Sequence, residues 1–289
     1  MTPLRFDAIL IGGGLAGAST AHALAHRGDA VLLCESQPLL AAKASGNARG
    51  LLMPYVATQS SPPGKLYARG FRYTRELLNT TFNYRDLYKE CGALQLPATK
   101  RLSRILTDSS EFVENIPVQR ISAQESSERA GILIPTPSFF IPQAGFCDPT
   151  EITKALATTS TTPITTRCSL EAIALEPLNS GWRVTFHTGE SAESDVVVLC
   201  GAHEITKLAL TSWIPLEPIR GQTAQVTGSR ASLPLKTVVS YDGYITPAYN
   251  GLHFVGAHYR HNDMNEAPNE QDTTEILSRL YRTLPTVSD

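Results

Sequence analysis

Residues 7–35 decide the fold. They read Asp7-Ala8-Ile9-Leu10-Ile11, then Gly12-Gly13-Gly14-Leu15-Ala16-Gly17, a small-residue stretch over 18–27, and Ala30-Val31-Leu32-Leu33-Cys34 ending in Glu35. An apolar run, a glycine turn, a helical stretch and a second apolar run are the parts of a βαβ dinucleotide-binding unit. Gly12 permits the tight turn out of the strand, Gly14 lets the backbone approach a pyrophosphate, and Gly17 lets the helix pack close to the sheet. Leu15 and Ala16 begin the helix, whose N-terminal N–H groups and dipole favour phosphate. Glu35 stands about 20 residues after the glycines, where an acid accepts hydrogen bonds from ribose hydroxyls. An acid there favours a cofactor with a free 2′-hydroxyl, FAD or NAD over NADP. The motif does not choose between those two.

The remaining sequence bounds the class. The 289 residues are 42% hydrophobic and 18% charged, with a formal net charge of −2. That length supports one large domain or two interleaved ones, and the charge gives no global basic field for nucleic acid, leaving only a local basic face. No apolar stretch approaches the ~18 residues of a membrane span. The first apolar run lacks the basic flank of a signal peptide. Cys34, Cys91, Cys147, Cys168 and Cys200 are odd in number and scattered. The expectation is reduced core thiols in a cytoplasmic protein, with no metal site. His22 and His26 read as solvent-facing helix residues, and His253, His258 and His261 as surface residues.

Apolar residues at helical spacing, Tyr67, Phe71, Leu77, Leu78 and Phe82, predict one long helix or two over 67–88, and a short helix is expected over 102–114. Residues 91–97 read as a turn and a strand, and 132–135 and 139–142 as short strands ended by prolines. Asp148 is a plausible helix cap with Pro149 at the first helical position and Glu151 three after the cap. Strands are expected over 164–176 and 182–188. The continuous run Val196-Val197-Val198-Leu199-Cys200 suggests a strand buried on both faces, as in a parallel sheet. Gly201 and Ala202 follow it, where small residues admit a cofactor to the backbone. Residues 219–258 read as β-rich, and 270–284 as a terminal helix. The fold class expected is α/β: an FAD-binding-type βαβ Rossmann-like domain with an interleaved α+β domain. The nucleotide domain is assigned 1–55, 145–215 and 262–289, and the substrate domain 56–144 and 216–261.

Four stretches carry a family resemblance. They are Gly12 to Gly17 with Glu35; Ala44-Ser45-Gly46-Asn47-Ala48-Arg49-Gly50-Leu51; Val198-Leu199-Cys200-Gly201-Ala202-His203-Glu204 with Leu216-Glu217-Pro218-Ile219-Arg220-Gly221-Gln222; and Tyr241-Asp242-Gly243-Tyr244-Ile245-Thr246-Pro247 with Val255-Gly256-Ala257. Together they resemble the D-amino-acid-oxidase-like superfamily of FAD-dependent amine oxidoreductases. Within it they are most similar to the oxidoreductase domain of the MnmC family of tRNA-modifying proteins. The resemblance selects FAD. It also implies a Gly-x-Arg segment and a later Asp-x-x-Pro-x-x-Gly segment beyond position 289, so the nucleotide domain is expected to be shortened at its C-terminus. The methyltransferase domain of the fused proteins has no counterpart in these residues.

What the resemblance implies about residues is specific. Ser45, Asn47, Gly50 and Leu51 would line the pyrophosphate and the flavin ring, and Leu170 would match a strand whose edge contacts adenine. Tyr244 would bound the substrate side of the flavin. Arg220 and Arg49 are candidates for a substrate carboxylate, since guanidinium binds carboxylate through two parallel bonds; for either, a structural salt bridge is the competing reading. No catalytic base is assigned. The implied reaction is oxidative removal of the carboxymethyl group from 5-carboxymethylaminomethyl-(2-thio)uridine at the tRNA wobble position. The alternatives are an oxidase of free small amino acids such as glycine or sarcosine, and a non-catalytic FAD-binding remnant. A tRNA contact would fall on Lys65, Arg69, Arg72, Arg75, Lys100, Arg101 and Arg104, for which a solvated helix face is the simpler reading.

Overall fold

A computed structural model of the chain describes residues 4–81, 87–107 and 116–287. In chain order the elements are β1 (Leu4–Ile11), α1 (Leu15–His26), β2 (Val31–Cys34), β3 (Gly50–Leu52), α2 (Pro62–Thr81), β4 (Tyr88–Lys89), β5 (Ala93–Gln95) and α3 (Lys100–Thr107). Then come β6 (Gln119–Ile121), α4 (Ala123–Ala130), β7 (Ser138–Ile141), β8 (Gly145–Cys147), α5 (Pro149–Thr158), β9 (Thr165–Arg167), β10 (Ala172–Pro177) and β11 (Trp182–Phe186). The last are β12 (Ser191–Leu199), β13 (Ile219–Thr227), β14 (Val238–Ser240), β15 (Tyr244–Ile245), β16 (Leu252–His261) and α6 (Glu270–Thr283). They divide into two units, Met1–Ala48 with Asp148–Pro218, and Arg49–Cys147 with Ile219–Asp289.

In the first unit the apolar centre of β1 forms the core: Ile9 and Leu10 are fully buried. Six strands run in the order β10-β11-β12-β1-β2-β9. β12, β1, β2 and β9 are parallel, and β10 and β11 add an antiparallel edge. α1 packs on β1, β2 and α5, presenting Ala18, Ala21, His22 and Ala25 as buried residues. Asp148 caps α5 by accepting from the Glu151 N–H at 3.1 Å, with Pro149 in the first turn. The parallel register aligns the strand ends: Ile11 lies opposite both Leu199 and Cys34, and Cys34 opposite Arg167. One edge of the sheet therefore gathers four chain segments.

Two expectations change here. β12 is not buried on both faces: Val196 is 52% exposed. Its second neighbour is antiparallel, and the helix covering the sheet sits over β1 and β2 instead. Residues 164–176 are not one strand. Ser169 turns the chain at φ +52°, which sends β9 to β2 and β10 to the opposite edge.

The second unit holds a seven-stranded sheet in the order β13-β16-β15-β14-β5-β7-β6, and a smaller sheet β3-β8-β4. Only β14 and β5 pair in parallel within the larger sheet. Period-two alternation gives this sheet two apolar faces. Leu94, Phe140, Val239 and Val255 meet Ile276 and Leu280 of α6. Their sequence neighbours Ala93, Phe139, Ile141 and Val238 meet Ala68 and Phe71 of α2 with Leu102 and Ile105 of α3.

The helix predicted over 67–88 begins earlier, at Pro62, and Tyr88 lies instead in β4 against β8. Phe82 and residues 108–114 lie outside the described residues. Residues 132–135 form no strand. The Ser127 hydroxyl donates to the Ile134 carbonyl and accepts from its N–H at 2.9 Å, which satisfies the backbone without a sheet neighbour. The terminal helix packs on β13 and β16 of the second unit rather than with the nucleotide unit. Residues 49–55 and 145–147 also belong to the second unit.

Candidate functional site

The glycine turn sits on the gathered edge of the first unit. Gly12 has φ +115°, and a Cβ there would lie 2.6 Å from the Cys200 carbonyl. A Cβ on Gly17 would lie 1.9 Å from the Gly12 carbonyl oxygen and 3.3 Å from Leu33 Cδ1. The glycines are thus required by contact with the turn, with β2 and with the end of β12. Gly13, which motif reasoning passed over, is crowded too, by side chains rather than backbone. Its Cβ would meet Leu40 and Glu35 within 3 Å, and its N–H donates to Glu35 Oε2 at 2.7 Å. The signal was present as the middle glycine of the run.

Glu35 is fixed at both oxygens, since Oε1 accepts from the Gln37 N–H at 2.8 Å. Its carboxylate sits against the glycine turn, at the end of β2. Gly14 starts α1 without a side-chain cap, and no acid stands in the first turn. The Ser45 hydroxyl, 30 positions away, accepts from the Leu15 N–H at 3.0 Å. Ala16 follows on the same helical turn. Asn47 anchors its short loop through Nδ2 to the Ala44 carbonyl, with φ −59° and ψ 134°. Gly201 lies beside Gly12, and Ala202 follows at φ +50°. Glu204 pairs with Lys43 at 3.6 Å, with His203 at 3.1 Å and with Lys207, which ties the loop before Ser45 to the turn after Gly201. The structure therefore brings Gly12, Gly14, Leu15, Gly17, Glu35, Ser45 and Gly201 together in one unit.

Leu170 is placed differently from expectation. It lies in the turn after β9, its side chain is 2% exposed in the core, and its N–H donates to the Glu35 carbonyl at 2.8 Å. That bond uses the backbone donor expected at a strand edge. Cys34 is buried, and desolvation pushes its thiol up to about 12, so it is an inert core thiol. The other four cysteines are only half-buried, and none is in a disulfide. His22 is buried, not solvent-facing: Nδ1 meets the Leu156 carbonyl at 3.2 Å, and His26 stacks on it at 4.7 Å. Burial, then His26, hold its pKa below the ordinary imidazole range.

Gly50, Leu51, Arg49, Arg220 and Tyr244 belong to the second unit. Gly50 and Leu51 pair with Cys147 and Phe146 of β8. Arg49 lies over the Tyr249 ring at 4.3 Å and the Phe254 ring at 5.4 Å. Its carbonyl meets the Tyr244 hydroxyl at 3.5 Å. Desolvation pushes the Tyr244 phenol up to about 12. Arg49 and Tyr244, 195 positions apart, are thus joined through the Arg49 backbone.

Arg220 does not join them. One terminal nitrogen meets Asp272 at 2.5 Å and Asp263 at 3.4 Å, and the other meets Gln222 at 2.8 Å and the Ala267 carbonyl at 3.0 Å. Its guanidinium holds α6 on the sheet through a fully buried carboxylate, which leaves little for a substrate. His253 is buried between the Thr246 carbonyl and Ser232 Oγ, and His258 is half-buried between Asp272 and Glu275, so neither is a surface residue. Of the three, only His261 is exposed.

Arg75 pairs with Glu90 at 2.7 Å and is withdrawn from the basic face of α2. Lys65, Arg69, Arg72, Lys100, Arg101 and Arg104 are exposed. Among the described residues no group of three or more His, Cys, Asp or Glu is arranged to hold a metal ion, and no helix is long and apolar enough to cross a membrane.

The first unit's polar groups fit the ADP half of a dinucleotide: a helix start with the Ser45 hydroxyl at its first N–H, a turn without side chains, and a carboxylate acceptor at the second strand end. Residues 7–289 match the family model described as FAD dependent oxidoreductase. The chain is 32% identical over 284 residues to the tRNA 5-methylaminomethyl-2-thiouridine biosynthesis bifunctional protein MnmC of Chromobacterium violaceum, covering 97% of this chain and 43% of that protein. It is 33% identical over 287 residues to MnmC of Chromohalobacter salexigens, covering 97% of this chain and 40% of that protein. The chain thus spans well under half the length of these relatives. Glycine oxidase from Geobacillus kaustophilus shares the fold, with TM-score 0.79, 20% identity, and coverage of 99% of this chain and 80% of that one. The glycine turn, its acid and a match across nearly all residues agree: the chain belongs to the FAD-dependent oxidoreductase family.

Proposed function

We propose that this chain is an amine oxidoreductase acting on tRNA, removing the carboxymethyl group of 5-carboxymethylaminomethyl-(2-thio)uridine at the wobble position. The observation that carries this reading is the similarity to MnmC over 97% of the chain. Bound FAD would supply two-electron oxidation of the C–N bond, with water then releasing glyoxylate and leaving an aminomethyl group. Gly12, Gly14, Leu15, Ala16, Gly17, Glu35, Ser45, Asn47, Gly201 and Ala202 would hold its ADP half, and Gly50 and Leu51 are assigned to the flavin side. Arg49 is the remaining candidate for the substrate carboxylate, with Tyr244 beside it; Arg220 is a positioning residue for α6. The basic faces of α2 and α3 support a polyanionic partner. These helices expose six lysines and arginines, Arg75 being paired with Glu90, against one acid, Glu76, in a chain of net charge −2.

The test uses the FAD-loaded protein. It is incubated with tRNA carrying the carboxymethylaminomethyl group, and the nucleosides are read by mass spectrometry with glyoxylate assayed in parallel. Conversion to aminomethyl-uridine with equimolar glyoxylate is expected. Peroxide production from glycine or sarcosine, with tRNA unchanged, would overturn the reading.

A further inference from the structure

In the second unit, a cavity of 290 Å³ opens beside α2 and α3, lined by Met53, Tyr55, Tyr67, Gln95 and Arg101 among others. Its size is at the lower edge of the ~300–1,000 Å³ usual for small-ligand pockets, so it suits one flat ring better than a whole dinucleotide. Two tyrosine rings stand at its mouth, 6.4 Å apart and tilted by 33°. Tyr55 is 48% and Tyr67 63% exposed, although each ring carries a large apolar area. The Arg101 guanidinium lies over the Tyr55 ring at 4.6 Å and is fixed there by donating to the Val56 carbonyl at 2.8 Å. Gln95 adds an amide among the lining residues. Exposed aromatic faces with a planar cation are the elements that bind unstacked bases.

The surroundings select among flat ligands. Arg104 is one turn along α3 from Arg101, and Lys100 precedes it, while Leu102 and Ile105 turn into the core. A neutral aromatic metabolite has no use for such charges, whereas a base on a phosphate backbone does. We infer that the Tyr55–Tyr67–Arg101 pocket takes a single unstacked base of the bound RNA, with the adjoining phosphates running over the basic face of α3. This rests on the tRNA reading proposed above and deepens it.

The experiment measures the affinity of the full chain for an unmodified tRNA transcript, and for single-stranded and duplex RNA of equal length, across a salt series. Tyr55→Ala and Tyr67→Ala are each expected to weaken tRNA and single-strand binding by about 5- to 150-fold. The slope of log affinity against log salt should stay unchanged. Tyr55→Phe and Tyr67→Phe should retain affinity, because the ring and not the hydroxyl stacks. Lys100→Gln and Arg104→Gln should instead flatten the slope by about 0.7 to 0.9 each. If wild type and the charge variants behave as expected but the alanine variants bind as tightly as wild type, the pocket assignment fails and the tRNA reading stands. If the alanine variants only shift a self-associated form to monomer, the pocket is a contact between copies and the inference is overturned. Absence of tRNA binding by wild type removes both.

Discussion

Replacing Gly17 by alanine separates a local rule from a tertiary one. In a helix interior that change gains about 1 kcal/mol of propensity. At Gly17 the added carbon would sit 1.9 Å from the Gly12 carbonyl oxygen and 3.1 Å from its carbon. Attractive contact requires about 3.5 Å, so the turn would have to withdraw by more than ~1 Å. It cannot do so freely, because the Gly12 N–H donates to the Cys34 carbonyl at 2.8 Å and the Ile11 carbonyl accepts from Cys200 at 2.7 Å. Overpacking against yielding side chains costs about 1–3 kcal/mol, and the obstacle here is backbone. Taking the upper end less the propensity gain, Gly17→Ala should lose about 2 kcal/mol. Gly70 in α2 is the control, since nothing lies within 4 Å of its added methyl. Gly70→Ala should gain up to about 1 kcal/mol. Urea unfolding of the FAD-free variants, followed by circular dichroism, reads both. A Gly17→Ala protein as stable as wild type would refute the reasoning, as would a destabilised Gly70→Ala.

Glu35→Ala removes a charged acceptor offered to a ribose, and FAD affinity should fall by roughly 10- to 150-fold, the range for hydrogen bonds to charged groups; an FAD titration with unchanged affinity would reject the assignment. Asp272 is held below the usual carboxylate range by Arg260, and by Arg220 in addition, against the opposing effect of burial. Its stabilising contribution is therefore complete above the unfolded value of ~3.9 and is lost as pH falls through the lower folded value. Asp272→Asn should be less stable at neutral pH and should flatten the acid limb of the stability profile; an unaltered limb would count against the network. His22 and His253 are both held below the ordinary imidazole range by burial. Below about pH 6.5 the unfolded chain takes up protons that the folded chain refuses, so stability should fall with pH there. His253→Gln should reduce that dependence in urea melts, and an identical dependence would refute it.

The local rules that were legible in the sequence are those satisfied within a few residues. The glycine turn, Glu35 at the end of β2 and the Asp148–Pro149–Glu151 helix start all appear as read. Failures fall where a distant partner decides. Arg220 looked like a carboxylate ligand because its motif neighbours matched, but the acid that engages it is 52 positions further on. His253 reads as polar and therefore external, yet Ser232 and Thr246 satisfy both ring nitrogens inside the core. Ile132 and Ile134 have the composition of a strand, and one serine hydroxyl takes the backbone bonds a strand would have made. The aromatic pocket was invisible because Tyr55, Tyr67 and Arg101 follow no common period.

The sequence by itself determined the βαβ unit and its family, because turn sterics, helix capping and strand apolarity are short-range properties written in adjacent residues. Tertiary structure alone decided which charges remain available. A guanidinium is free or consumed according to the carboxylates that folding brings within hydrogen-bond reach, and chain separation carries no record of that. It also decided that Gly13 is crowded, since the Leu40 and Glu35 side chains that a Cβ would meet are brought against the turn only by folding.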